Sequence, residues 1–577
     1  MSLIKSAQQP SVLNAAIQPQ LTDIGHVVFF SFFVNLLVLA PSWYMLEVYD
    51  RVVNSQSHRT LLMLTILVLI LYALLEMMEW VRSRIMYKVS SQFDVALRER
   101  VFNSIFQARL QQLAGGTAQA MSDLKVIQEV IASPALMALI DMPFAILTLL
   151  LIFWINSTLG WFAVLGAVVL GVITTINQYR VQPPLIKANQ HAIAAQNYAS
   201  GVIRNAQVIE AMGMLARIHQ KWMKKQHEFL RMQATASDRA GVNSALSKLV
   251  QTLQGSLLLG LGCWLTLKGE LSMGGSMMII ASILGGRVLA PLVVIVGHWR
   301  VIMSAQDAIS RLDNFLKVFP EINPTMPLPA PHGNLSVESA VACPPNSQNQ
   351  ILKGITFKLA AGESLGVVGP SASGKSTLAR LVTGIWPALS GKVRLDGVDI
   401  YTWKKNELGP HVGYLPQNVE LFDGTLAENI ARFGEIDMTK VAEAAKIVGL
   451  EDFVLALKEG YQTQLGDEGA FLSGGQRQRV ALARAIYGMP KFVVLDEPNS
   501  SLDEEGDAAL LRTLQFMKSK GTTLIVITHR VQVMSVIDSM LVLVDGQVKA
   551  FGPRDEVLKS LNQQNQPTTQ SSVRPVL

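Results

Sequence analysis

The most chemically specific stretch of the chain is GPSASGKST, residues 369–377. Gly369 and Gly374 bracket Pro370, Ser371, Ala372 and Ser373 ahead of Lys375, Ser376 and Thr377. This is the spacing of a phosphate-binding loop, in which backbone N–H groups at a helix start wrap phosphate oxygens, the lysine neutralises them and the serine hydroxyl ligates Mg²⁺. Downstream, KFVVLDEP at 491–498 ends an apolar run in two carboxylates. Asp496 suits the Mg²⁺ side of a nucleotide site, and Glu497 is placed to polarise an attacking water. The loop alone fits many nucleotide hydrolases; the loop with this carboxylate pair points to Mg²⁺-assisted cleavage of a nucleoside triphosphate.

Both stretches are flanked by the elements they need. SLGVVG before the loop is a short apolar run that reads as a buried strand, and STLARLVTG after it reads as a helix. KFVVLDE, TTLIVITH and SMLVLVDG repeat the strand pattern with helical stretches between them. Residues 335–561 are therefore expected to form an α/β nucleotide-binding domain on a mostly parallel sheet. Ahead of it, residues 319–334 contain EINPTMPLPAPHGN, a Pro-rich connector with semi-rigid extended character. The polar stretch NQQNQPTTQSSVRPVL, 562–577, is expected to be a disordered tail.

LSGGQRQRV, 472–480, precedes the carboxylates. With it the set resembles the ATPase domain of the ATP-binding cassette (ABC) proteins, whose own signature is LSGGQ. The resemblance implies ATP as the nucleotide. It also implies a second anion site at Leu472, Ser473, Gly474, Gly475 and Gln476, where small residues and a helix start let N–H groups reach a γ-phosphate. In the family that signature faces the ATP held by a partner subunit, so a chain with one cassette is expected to work as a homodimer. By the same resemblance, Gln417 in YLPQNVELF reaches Mg²⁺ and senses the membrane domain, Asp503 in SSLD lies in the loop that crosses the dimer, and His529 in ITHR contacts the γ-phosphate. QLGDEG, 464–469, resembles the element that touches cytoplasmic helix ends in exporters, with Glu468 as the contact. One position departs from the pattern. Where the family offers a ring to stack on adenine, the chain reads VESAVACPPNS, with Cys343 in that place and no aromatic residue, which implies a relaxed nucleotide preference.

Composition explains what accompanies the loop. Of 577 residues, 50% are apolar and 16% charged, and the mean hydropathy is +0.32, which suits a membrane protein better than a soluble one. The net charge of +6 is concentrated beside apolar spans: residues 180–248 hold ten Lys or Arg against three Asp or Glu. That is the bias of cytoplasmic loops and not of a nucleic-acid surface. The two cysteines, Cys263 and Cys343, imply no disulfide framework. A hydrocarbon core of about 30 Å takes roughly 20 apolar helical residues. Stretches of that kind predict six spans at approximately 24–47, 59–80, 135–156, 158–180, 246–268 and 271–299, within a membrane domain of residues 21–318 preceded by a cytoplasmic segment, 1–20. The links after the second and fourth spans are long and helical in composition, so they are expected to continue the spans into the cytoplasm and turn back near QLAGGTAQAMSDLKVIQE and ASGVIRNAQVIEAMGML. A charge at the bilayer centre costs about 2.5–3.5 kcal/mol, so Arg287 in the sixth span is expected to face the bundle interior or a wet cavity and is a candidate for the substrate path. Glu76, Glu79 and Asp141 either do the same or lie at the cytoplasmic rim.

Six spans before one cassette is the exporter arrangement. NLLVLAPSWYMLEVYDRVVNSQSHRTLLMLT, EWVRSR and LDEPNSSLDEEG resemble the type I secretion ATPases of the protease-secretion (PrtD) type over nearly the whole chain. This implies ATP-driven export of unfolded polypeptides with uncleaved C-terminal signals, such as calcium-binding repeat proteases, lipases or haem-binding proteins. It further implies an inner-membrane dimer joined to a membrane-fusion adaptor and an outer-membrane channel. No Cys occurs before Cys263, so an N-terminal cysteine peptidase is not expected. A flippase for lipids or drugs would share every cassette residue and stands as the alternative, and an ATPase merely anchored by its spans is a remoter one.

Overall fold

The computed structural model describes residues 12–111, 117–270, 275–320, 327–345, 347, 349–466, 469 and 471–564. They form two compact units that part near residue 321.

The first unit is helical. Residues Val12–Ile17 (α1), Leu21–Leu37 (α2), Ala40–Glu47 (α3), His58–Leu110 (α4), Thr117–Ile131 (α5), Pro134–Ile155 (α6), Ser157–Arg204 (α7), Ala206–Ala211 (α8), Leu215–Leu267 (α9), Gly275–Gly297 (α10) and Trp299–Val318 (α11) follow in order. Among the described residues, six stretches are long and apolar enough to cross a membrane. At 1.5 Å per residue the 53 residues of α4 reach about 80 Å, far beyond a hydrocarbon core, so a span and its cytoplasmic extension are one continuous helix. The most apolar window of α4 is only 6% buried, as a lipid-facing surface must be.

The first expected span, 24–47, is interrupted where α2 stops at Leu37 and α3 resumes at Ala40. Pro41 is the cause: its ring clashes with the carbonyl of the residue four back and it offers no N–H. Within the expected cytoplasmic segment 1–20, α1 buries Leu13 in a cluster with Phe93, Leu97 and Val101 of α4, Leu124 of α5 and Leu312 of α11. The second expected turn is the short helix α8 between Asn205 and Met212, whereas 112–116 of the first lie outside the described residues. Asp141 of α6 accepts from Arg82 of α4 at 2.8 Å and from Asn35 of α2 at 3.0 Å, so it is paired within the bundle. Arg287 of α10, expected to face the bundle interior or a wet cavity, has an exposed side chain on the single chain and makes no ion pair among the described residues.

The second unit is α/β. A four-stranded antiparallel sheet has the order β2-β1-β4-β5, from Leu335–Ala342 (β1), Leu352–Leu359 (β2), Ser390–Leu395 (β4) and Val398–Asp399 (β5). A six-stranded sheet has the order β10-β9-β3-β8-β7-β6, from Ser364–Val368 (β3), Val412–Leu415 (β6), Phe492–Asp496 (β7), Thr523–Ile527 (β8), Ser539–Val544 (β9) and Gln547–Pro553 (β10). All its pairs are parallel except β9–β10. Every residue of β7 and β8 is buried, which is why these strands read as continuous apolar runs without alternation. Phe492 is fully buried, and its truncation to Ala would cost about 3–5 kcal/mol. The helices are Lys375–Val382 (α12), Lys405–Leu408 (α13), Leu426–Ile430 (α14), Met438–Ile447 (α15), Glu451–Ala456 (α16), Gly474–Ile486 (α17), Glu504–Ser519 (α18), Val531–Met534 (α19) and Arg554–Gln564 (α20). Helix α20 runs three residues into the expected tail; 565–577 lie outside the described residues.

Candidate functional site

Four neighbouring parallel strands deliver the site. In the order β3-β8-β7-β6 their carboxyl ends lead into the 369–374 loop, Thr528 and His529, Asp496 and Glu497, and the segment holding Gln417. Ligands in open α/β sheets bind at such carboxyl edges. The loop turns sharply into α12 at Gly374, whose φ of 101° caps the helix in the left-handed region. A Cβ there would also lie 2.8 Å from Leu352 Cδ2, so both conformation and space call for glycine. Pro370, Ser371 and Ala372 are exposed at the tip, Gly369 and Ser376 are half-buried, and Ser373, Lys375 and Thr377 are buried. Lys375 donates from Nζ to the carbonyls of Gly369 and Pro370, each at 2.8 Å, which holds the ammonium inside the loop where phosphate oxygens would compete for it. Burial lowers its pKa, against the pull of Glu497 and Asp496.

Asp496 is 2% exposed at the end of β7. Burial raises its pKa, and a hydrogen bond from Ser376 opposes that rise. Its Oδ1 is buried without a hydrogen-bond partner. An orphaned carboxylate oxygen beside a serine hydroxyl fits Mg²⁺, which uses one or two protein oxygens plus substrate phosphates. Among the described residues no cluster of three His, Cys, Asp or Glu forms an all-protein metal cage.

Glu497, one residue on, has φ of 51°, a left-handed conformation that costs a non-glycine residue about 1–3 kcal/mol. Its carboxylate meets two partners. Gln417 Nε2 donates to Oε2 at 2.9 Å, and His529 Nε2 stands 3.9 Å from Oε1. The structure thus brings Lys375, Asp496, Glu497, Gln417 and His529 together.

The signature is built separately. Ser473 caps α17 by accepting from Gln476 N at 3.2 Å, while the Gln476 side chain accepts from Ser473 N at 2.9 Å. Leu472 is buried beneath them; Ser473 and Gly474 are exposed, and Gly475 is half-buried. These residues bond to one another and not to the phosphate loop of the same chain. Asp503 caps α18 through Gly506 N and pairs with Arg479 at 3.1 Å. Cys343 lies half-buried just past β1, and Glu468 lies outside the described residues. Three participants are not evident from the motif matches: Gln478, buried under Glu497; Arg479, on Asp503; and Arg530, paired with Asp507. The repeated glutamine in LSGGQRQR was the available signal for Gln478.

A family model described as ABC transporter matches residues 352–500, and one described as ABC transporter transmembrane region matches 24–288. Over 94% of this chain and 93% of the relative, the sequence is 39% identical to a type I secretion system ATP-binding protein, PrsD, of Rhizobium meliloti (strain 1021). The chain belongs to the ABC transporters of type I secretion. A leukotoxin translocation ATP-binding protein, LktB, of Mannheimia haemolytica is 27% identical over 92% of this chain and 76% of its own length. The solved structure of a bacterial Atm1-family ABC exporter with ATP bound shares the fold, with a TM-score of 0.81 at 22% identity over 96% of this chain and 100% of that one. This type I secretion transporter is an ATPase coupled to transport. It is a multi-pass inner-membrane protein whose nucleotide-binding domain is cytoplasmic.

Proposed function

We propose that two copies of this transporter, each with a membrane domain of residues 21–318 and a cassette of 335–561, clamp ATP between them to drive unfolded polypeptides with C-terminal signals out of the cell. The cassette itself supports the two-copy reading. Ser473, Gly474 and Gln476 form an anion-accepting helix start whose polar groups engage one another and not the phosphate loop of their own chain, so a second chain's ATP is their natural ligand. The cargo class, the membrane-fusion adaptor and the outer-membrane channel follow from membership of the secretion family.

ATP would draw Lys375 off the Gly369 and Pro370 carbonyls onto its phosphates, with backbone N–H groups from Gly369 to Thr377 completing the cradle. Ser376, Asp496 and Gln417 are the residues that would hold Mg²⁺, which would supply charge neutralisation on the phosphates. Glu497 then polarises the attacking water as its base, while His529 and Gln417 hold its carboxylate. Closing the cassettes moves the helices they drive, and hydrolysis resets them.

Glu497→Gln tests this. It should bind ATP, accumulate as an ATP-held closed pair of cassettes and lose multi-turnover hydrolysis by at least about 100-fold. Sustained turnover by that variant, or wild-type protein that stays monomeric in ATP while hydrolysing it at full rate, overturns the proposal.

A further inference from the structure

We infer that Gln478 is a positioning residue that ties the place of Glu497 to the place of the signature helix. Gln478 lies in the second turn of α17 and is 2% exposed. Its amide nitrogen donates to the Glu497 carbonyl at 3.2 Å and to Ser500 Oγ at 3.3 Å, and its amide oxygen accepts from Ser501 N at 2.9 Å. One buried side chain therefore spans the whole turn that follows the water-polarising carboxylate.

The rest of the contact makes α17 and that turn a single block. The signature glycines lie directly against Ser501: a Cβ at Gly475 would be 3.1 Å from the Ser501 carbonyl oxygen, and one at Gly474 would be 3.5 Å from Ser501 Cβ. Arg479, the next residue of α17, pairs with Asp503 at the far end of the same turn. Glu497 itself sits in a left-handed conformation that its neighbours must impose. On the other side its carboxylate is held by Gln417. The backbone of Glu497 thus answers to α17 and its side chain to the segment after β6.

A signature helix that shifts when it engages phosphate carries Glu497 with it through Gln478. This rests on the two-subunit reading above, which supplies the phosphate: ATP held by one chain adjusts the water-polarising residue of the other. Since a displacement of about 1 Å at a reacting centre can cost 10²-fold in rate, the tether acts on chemistry and not on ATP affinity.

The test uses full-length protein in lipid nanodiscs with Mg²⁺ and ATP. Gln478→Leu, which keeps volume and removes all three bonds, should lower kcat at least about 20-fold with half-saturating ATP within about 2-fold of wild type. Gln478→Glu keeps the acceptor for Ser501 N and loses the donors, and should fall in the same way by a smaller factor. If the Leu variant does not fold, the Glu variant is judged by the same split. A kcat within 2-fold of wild type, or kcat and half-saturation shifting together, overturns the assignment. Combining Gln478→Leu with Glu497→Gln separates the two proposals: ATP-held pairs should still form. If Glu497→Gln alone never forms them, the two-subunit reading fails; if it forms them and Gln478→Leu leaves kcat intact, only the tether fails.

Discussion

Gln417 donates its side-chain amide to the Glu497 carboxylate at 2.9 Å, across 80 residues of sequence. The bond joins the segment after β6 to the end of β7, two strands adjacent in the sheet, and it fixes the side chain proposed to polarise water.

Gln417→Ala should therefore lower ATPase kcat by roughly 10- to 100-fold, up to the lower end of the 10²–10⁴ range that a positioned base contributes, because the base is misplaced and not removed. Gln417→Glu places a second carboxylate against Glu497. Like charges favour the protonated form, so the acid limb of the pH–rate profile should move to higher pH. Steady-state rates between pH 5 and 9 check both, and an unmoved acid limb in the Glu variant counts against Glu497 as the base.

Asp496 carries a raised pKa and an unpartnered buried oxygen. For a carboxyl raised by burial, the folded state binds the proton more tightly than the unfolded one. The stability this gives is complete below the unfolded value of about 4 and is lost as pH rises through the raised folded value. Above that raised value the ionised side chain thus works against folding. Asp496→Asn should raise the Tm at pH 7, lose that advantage as pH falls to 4 and below, and abolish Mg²⁺-dependent hydrolysis. Thermal unfolding at several pH values without nucleotide reads the first two effects.

Arg82 and Asp141 form an ion pair at 2.8 Å with side chains 8% and 19% exposed, supported by Ser31 and Asn35 of α2. Removing one partner leaves a buried charge, so Arg82→Ala should destabilise the helical unit by about 3–5 kcal/mol. Arg82→Met with Asp141→Leu should recover most of that loss, because an apolar pair of similar volume needs no compensation. Thermal unfolding of the detergent-solubilised chain distinguishes the variants. Equal losses in the single and double variants would show that the charges themselves are required.

The two kinds of unit, the phosphate loop and the carboxylate pair at Asp496 and Glu497 are legible in the bare sequence. These are local: continuous apolar runs of about 20 residues mark spans, and a loop's chemistry follows from glycine and lysine at fixed spacing. It also flagged Arg287 as a charge in an apolar span, but not which way that side chain points, since that depends on how α10 packs on its neighbours. Which distant residues meet is set by the packed fold. The strand order β3-β8-β7-β6 sets Gln417, Glu497 and His529 side by side, and no periodicity in the chain encodes that order. Gln478 and the Arg82–Asp141 pair escaped sequence reading for the same reason. A buried polar group is recognised by the partner that satisfies it, and those partners are brought together by folding, 19 to 59 residues apart in the chain.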